Sequence, residues 1–420
     1  MVTTGEPIRT SVAAPHPLRD RGFAIYSLGA TISNAGSFMQ SVSVPFVLFQ
    51  LTGSNAWVGA GAFAWLVPSL VVSPWAGTLT DRFDRRLLLL WANIVQLASA
   101  FGLFVLAAEH AMTPARILGL VIFGGFGAGF QYAAAQSMAA VLLPKEQLIE
   151  GVRLLSVGFT LSRAAGPAVA GYVLDEWGAK ATFGLNAVSF VAFIVALLII
   201  RVRPVDRAPS TESWTVQFRS GFSYVMQRPA LRLVVITALF TSFFGQSMVQ
   251  LAAGLAKDDF GVEGRGFGVL SAVYGIGAVV ATVLLLVGAE RLRRSRMTLI
   301  GLGLFSAGIF VTIATKELAV GLVGFLVAGT AHALCGTSLN TSMQAQVDEE
   351  YRGRAISMFM MALLIGMPFG ALTGGWLGDR VGLRSTLAAY ASVLIVYLAV
   401  ALTKLRRLRL LDGSSVTASR

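Results

Sequence analysis

Arg163 lies inside an apolar run long enough to cross a bilayer. A guanidinium at that depth costs about 2.5–3.5 kcal/mol on insertion scales, so it must face a partner or a wet cavity. Two roles suit it. It can anchor an anionic or carbonyl group of a ligand, or serve as a counter-ion to a titrating group. It can also be structural, donating to helix-end carbonyls or to an amide such as Gln131. No carboxylate sits in the middle of any apolar run: all 21 Asp and Glu fall in tails, loops or run ends. His332 stands near the centre of one run, and imidazole ordinarily titrates near neutral pH. A histidine held by small polar neighbours is the alternative. Amides are plentiful instead. Asn34 and Gln40 share one run, Gln131 and Gln136 another with Tyr132, Gln246 and Gln250 a third, and Asn340 and Gln344 a fourth. Neutral amides donate and accept without net charge, which fits a polar but amphiphilic ligand. Phe38, Met39, Tyr132, Phe243, Phe244, Tyr274 and Met367 can form an adaptable apolar wall. Hydrolytic, metal and nucleotide chemistry have no support. The three histidines, His16, His110 and His332, are scattered, Cys335 is the single cysteine, and no glycine loop follows a strand. No cofactor is expected, and an enzyme is excluded.

The elements that position these residues follow from composition. Of 420 residues, 55% are hydrophobic and 13% charged, with mean hydropathy +0.72. Soluble domains carry about 25% charged residues. Runs of about 20 apolar residues read as transmembrane helices. Twelve are expected, near 23–50, 57–79, 87–108, 116–142, 152–174, 181–200, 231–253, 266–288, 297–315, 318–345, 355–378 and 384–403. The run after Arg19 and Arg21 is too long for a signal peptide and is read as an uncleaved first span. The expected domains are a cytoplasmic tail (1–22), a six-helix bundle (23–200), a cytoplasmic linker (201–230), a second six-helix bundle (231–403) and a cytoplasmic tail (404–420). The linker holds Arg201, Arg203, Pro204, Arg207 and Pro209, then a weakly amphipathic stretch from Trp214 to Tyr224.

The net charge of +12 would suggest nucleic acid in a soluble protein. Its distribution excludes that. With both termini inside, the cytoplasmic segments hold 25 of the 33 Lys and Arg. The other face holds Arg116, Lys180, Lys257, Arg265, Lys316, Arg380 and Arg384, and only Arg163 remains in the interior. This is a positive-inside pattern and sets topology.

The halves repeat. A shift of 204 residues brings Glu146, Gly166, Gly171, Asp175, Gly178 and Thr182 onto Glu350, Gly370, Gly375, Asp379, Gly382 and Thr386. A shift of 211 brings Gly77, Arg82 and Arg85 onto Gly288, Arg293 and Arg296. Two parallel six-helix repeats are a transporter signature, with substrate bound between the halves.

The loop Gly77-Thr-Leu-Thr-Asp81-Arg82-Phe-Asp84-Arg85-Arg86 resembles motif A of the major facilitator superfamily, G-x-x-x-D-R-x-G-R-R, with Asp84 where the pattern has Gly. Ser162-Arg163-Ala-Ala-Gly166-Pro167-Ala-Val-Ala170-Gly171 is similar to the antiporter motif C. Leu51-Thr52-Gly53-Ser54, Leu142-Leu143-Pro144-Lys145-Glu146 and Tyr351-Arg352-Gly353-Arg354 extend the likeness along nearly the whole chain. The D-R-F-D-R-R variant looks like the branch of enterobactin exporters and macrolide efflux proteins. The resemblance implies an all-α fold of twelve transmembrane helices in two pseudo-symmetric bundles, in a bacterial cell membrane. It implies a monomeric secondary active exporter, moving amphiphilic small molecules by alternating access, with proton antiport. Uptake or sensing on the same scaffold is the alternative. By resemblance, Asp81 and Arg85 form a cytoplasmic latch with Gly77, Arg82 and Arg86 around them, helices 1, 4, 7 and 10 line the cavity, and motif C accompanies export. A siderophore and a macrolide-like drug stand as competing cargo. Asp81, His332, Asp175 and Asp379 are the candidates for a coupling proton.

Overall fold

The computed structural model describes residues 16–82, 84–201, 214–288, 292–403 and 409–412, with side-chain surroundings for all of these except 73–82, 133, 136, 137, 214, 215, 217, 409 and 410. The described residues form long helices: α1 (Arg21–Thr52), α2 (Asn55–Arg82), α3 (Arg85–Ala108) and α4 (Pro114–Leu142). A continuous stretch, Leu148–Ile199, follows and breaks at Gly178, where φ is 71° and ψ is −177°. Its two limbs are α5 (148–177) and α6 (179–199). The second half holds α7 (Pro229–Asp259), α8 (Gly264–Val287), α9 (Arg294–Ala314), α10 (Leu318–Gln346), α11 (Arg352–Val381) and α12 (Leu383–Thr403). A separate linker helix, Trp214–Gln227, precedes α7.

Local chemistry sets the helix ends. Asp20 accepts a hydrogen bond from the Phe23 N–H (2.9 Å) at the start of α1. Thr113 caps α4 ahead of Pro114. Gly53 (φ 62°) closes α1 in the left-handed region that glycine enters without strain. Gly178 (φ 71°) and Gly382 (φ 90°) make the corresponding tight reversals in the two repeats. That is why glycine stands at both positions of the 204-residue shift.

Among the described residues, nine helical stretches are long and apolar enough to cross a membrane, one of them spanning the Gly178 break. Helices α1 and α4 are as long as their neighbours. Helix α1 is diluted by Ser27, Ser33, Asn34, Ser37, Gln40, Ser41 and Ser43. The outward faces carry Trp91, Phe101, Val157, Val188, Leu286, Val287 and Val396, all exposed in the isolated chain. A bilayer is the solvent those side chains suit.

Each half is a tight bundle. Gly36 of α1 lies so close to α6 that an added methyl would stand 2.6 Å from Asn186 Oδ1 and 2.8 Å from Ser189 Cβ. Gly36→Ala is therefore expected to lower stability by about 1–3 kcal/mol through overpacking. A drop of several degrees in the unfolding temperature of the purified protein checks this.

The halves meet unevenly. At the end holding Gly53, Gly178, Gly261 and Gly382, one apolar core crosses the interface and includes Phe46, Phe49, Val58 and Val173 with Met248, Leu251, Phe267 and Leu270. At the linker end the cores are separate. Phe23, Tyr26, Leu89, Met138 and Phe193 form one. Val225, Leu231, Val234, Met343 and Phe359 form the other.

Candidate functional site

Among the described residues, two helix pairs make most of the contact between the halves, α2 with α11 and α5 with α8. They are built alike from the repeated residues. In α5, Gly166 faces α1, where an added methyl would lie 2.8 Å from the Ala35 carbonyl oxygen. Its counterpart Gly370 faces α7 at the Phe243 carbonyl. One turn on, Gly171 faces α8, where a methyl would lie 2.7 Å from Gly264 O and 2.8 Å from Gly268 Cα. Its counterpart Gly375 faces Asn55 and Ala56 of α2. Small residues let the backbones touch across both crossings. Aromatic rings fill the remainder: Phe63 meets Phe369 edge-on at 5.1 Å, and Phe46 stacks on Phe267 at 6.3 Å.

Each crossing ends in a carboxylate that caps a helix of the other half. Asp379 Oδ1 accepts the Asn55 N–H at 2.7 Å, and Asp379 Oδ2 accepts the Ala56 N–H at 3.0 Å and the Ser54 hydroxyl at 2.5 Å. These are the first amides of α2. Asp175 Oδ2 accepts the Arg265 N–H at 2.9 Å, at the start of α8. The Arg265 guanidinium pairs with Glu176, lies 3.7 Å from Asp175 and covers the Tyr172 ring at 4.9 Å. A carboxylate on unpaired helix N-terminal amides satisfies orphan donors and meets the positive end of the dipole. Sequence reasoning paired the two aspartates but missed Asn55 and Arg265 as their partners. Only the Ser54-Asn55 start of α2 hinted at a capping site.

At the linker end, Asp84 caps α3 by accepting the Arg86 N–H (2.8 Å). That is the physical reason an Asp fits where the family pattern has Gly. Arg86 donates to the Leu197 and Leu198 carbonyls (2.5 and 2.7 Å) and so ties α3 to the end of α6. Arg85 is buried. The side chains of Gly77, Asp81 and Arg82 lie outside the described residues. The linker helix docks on the second half. Arg228 pairs with Asp348 (2.6 Å) and covers Tyr224, Tyr224 stacks on Tyr351 (4.2 Å), and Arg354 donates to Ser220 (3.0 Å). Asp412, from the chain's end, caps α9 by accepting the Ser295 N–H and hydroxyl (2.9 and 2.7 Å).

The expected cavity residues separate into groups. Tyr132 and Gln344 are exposed, and Asn34, Gln131, Gln246, Gln250, His332 and Asn340 are half-buried. Gln344 donates to Asn340 (3.0 Å) and Gln250 to the Met367 sulfur (3.3 Å). Gln40 differs from its expectation: it is buried and accepts a hydrogen bond from Asn186 of α6 (2.7 Å), so it stands in the wall. Gln131 takes a hydrogen bond from Gln96 of α3, not from Arg163. The Gln136 side chain lies outside the described residues. Gln246, Phe243 and Phe244 sit where α7 widens into a π-helical turn, Thr241–Gln246. Such turns insert a residue and re-aim side chains, often at functional sites. Arg163 is half-buried, and among the described residues its guanidinium makes no hydrogen bond or ion pair.

Comparison with known proteins identifies the scaffold. The family described as "Transmembrane secretion effector" matches residues 11–419. The chain belongs to this family of the major facilitator superfamily. It is 22% identical over 397 residues to macrolide efflux protein A of Streptococcus pyogenes, covering 91% of this chain and 96% of that one. It is 24% identical over 362 residues to the staphyloferrin A transporter of Staphylococcus aureus, covering 84% and 88%. The fold is similar to that of the nucleoside transporter NupG, with TM-score 0.73, 11% identity, and 91% of this chain and 98% of that chain covered. The protein is thus a major facilitator transporter and not an enzyme, embedded as a multi-pass protein in the bacterial inner membrane.

Proposed function

We propose that this transporter is a secondary active exporter of amphiphilic small molecules that works by alternating access. One observation carries the reading. The halves are locked together at one end by the Asp379 and Asp175 caps, while the opposite ends keep separate cores. By the positive-inside count the linker end is cytoplasmic, and both termini lie there. The conformation is then inward-open, the state that loads cargo from the cytoplasm or inner leaflet. Outward release needs both caps to break and a gate to form at the cytoplasmic end. Motif A supplies that gate by resemblance, with Asp81 and Arg85 as the latch. Relatives named for macrolide efflux and for staphyloferrin A support export over uptake. Both cargo types are amphiphilic, which suits a cleft of amides with an apolar wall. Proton antiport by a monomer is the coupling we assign.

The test is transport into inside-out vesicles energised by respiration. Uptake that collapses with a protonophore supports proton-driven export, and uptake driven only by an opposite gradient overturns it. For the latch, Asp81→Asn is expected to reduce transport at least tenfold while insertion and expression stay normal. Normal efflux from that variant removes the latch role.

A further inference from the structure

Arg163, Tyr274 and His332 come from three helices that the sequence keeps far apart. Arg163 is at mid-length of α5, in the first half, while Tyr274 of α8 and His332 of α10 belong to the second. The α5 and α8 backbones run side by side here: a methyl on Gly275 would lie 3.4 Å from the Arg163 carbonyl oxygen and from Ala164 Cα. The His332 ring stands edge-on to Tyr274, 5.8 Å between centroids at 71°, and Phe305 closes its other side at 6.5 Å. Helices α8 and α10 are held together by the Thr330 hydroxyl donating to the Gly277 carbonyl (3.1 Å). The α5 backbone at Arg163 therefore lies beside the α8 residue that follows Tyr274.

The polar atoms of this cluster are underused. Tyr274 is 4% exposed, and its hydroxyl is buried with no hydrogen-bond partner among the described residues. Buried hydroxyls are nearly always satisfied, so an orphan needs an explanation. Arg163 offers five N–H donors and no acceptor, and Tyr274 and His332 can each donate one more. No Asp or Glu lies in the middle of any span to answer that donor excess. A lipophilic cation has nothing to bind here.

We propose that Arg163, Tyr274 and His332 form a subsite for the carboxylate of an amphiphilic anion, gripped from both halves at once. This deepens the exporter reading and rests on it. The bidentate guanidinium takes the carboxylate, the Tyr274 hydroxyl supplies a second donor, and Phe305 and the rings provide the dry wall that strengthens both. Because the donors sit on opposite halves, they separate when the halves rock, and the anion is held in one state and released in the other.

The probes are a fluorophore-labelled dodecanoic acid, its methyl ester, and an amine-ended analogue of equal length. Two measurements are made on the full chain: binding to purified protein by fluorescence anisotropy, and uptake into energised inside-out vesicles. The carboxylate is expected to bind at least tenfold more tightly than the ester, and the amine not measurably. Arg163→Gln and Tyr274→Phe should each weaken carboxylate binding by about tenfold, the change a hydrogen bond to a charged group represents. The ester should change less than twofold, and Arg163→Lys should restore part of the loss. Equal binding of the three probes, or equal losses for acid and ester in the variants, overturns the subsite. If the wild type binds the acid selectively but no gradient moves any probe, the exporter reading falls and the subsite stands. If vesicles export ester and amine as well as the acid, the subsite falls and the exporter reading stands.

Discussion

Removing the two capping carboxylates is expected to tip the protein out of the inward-open state proposed for it. Asp379 accepts three hydrogen bonds at the start of α2, and Asp175 accepts one at the start of α8 while drawing in the Arg265 side chain. Losing a helix N-cap costs about 0.5–2 kcal/mol. Loss of the charge at the dipole adds about 0.3–1 kcal/mol. Asp379→Ala should thus weaken outer closure by about 2 kcal/mol, a shift of about 30-fold in the ratio of closed to open outer gate. The two caps are on separate helix pairs, so Asp175→Ala should add to it nearly independently. Single variants are expected to show both outer-gate states, and the double variant mainly the open one. Spin labels at His110 and Lys316, one on each half, placed in a Cys335→Ser background, report the outer separation. Asp379→Asn is the informative control, because Asn also caps helices but carries no charge. It should fall between wild type and Asp379→Ala. Distance distributions identical to wild type in the double variant would remove these carboxylates from the gate.

A larger effect is expected from Gly268→Val. A Cβ at 268 would stand 2.6 Å from Gly171 Cα, 2.9 Å from Gly171 N and 2.7 Å from the Pro167 carbonyl oxygen. Each of these is backbone, so no side chain can swing aside. The closed crossing of α5 and α8 then becomes inaccessible, whereas a state with the outer ends apart carries no such clash. Overpacking of this kind costs about 1–3 kcal/mol where neighbours can yield, and more where they cannot. Transport is expected to fall below about a hundredth of wild type, with the outer label distance long and unimodal. Gly119→Val is the matched control. Gly119 is exposed, a Cβ there meets nothing within 4 Å, and its transport should match wild type. Misfolding is separated from locking by the two cores at the linker end, whose protection from proteolysis should persist in a locked protein. Wild-type transport by Gly268→Val would show that the crossing loosens without help from glycine.

The two predictions draw on different parts of the chain's legibility. The membrane helices were readable because hydropathy is a local sum, and a span needs about 20 neighbours of one kind. The repeat was readable because the same loop geometry recurs: Gly178 and Gly382 both sit at positive φ, and glycine alone enters that region freely. Asp175 and Asp379 stood out as a pair for the same reason. What they cap was not readable, since Asp379 reaches Asn55 across 324 positions and Asp175 reaches Arg265 across 90. Gln40 shows the limit within a single helix. It shares α1 with Asn34, yet one is buried against Asn186 and the other is half-exposed. The polar residues of α1 are spread around the helix, so no single polar face tells wall from cavity. Tyr274 was read only as part of an apolar wall, because nothing near it in the chain announces an unpaired hydroxyl.

By itself, then, the sequence determined a chain of membrane helices in two repeats, with its positive charge on one side and a lone arginine in the interior. Those properties depend on composition and spacing along the chain. The tertiary structure alone decided which end of the molecule is closed, which glycines touch across the halves, and which helix starts the two aspartates hold. It also decided that the α5 backbone at Arg163 lies beside Gly275 and that Tyr274 faces His332. These depend on contacts between residues that the chain separates by 58 to more than 300 positions. Such contacts exist only once the bundles pack, because no local pattern carries the free energy of burying one helix against another.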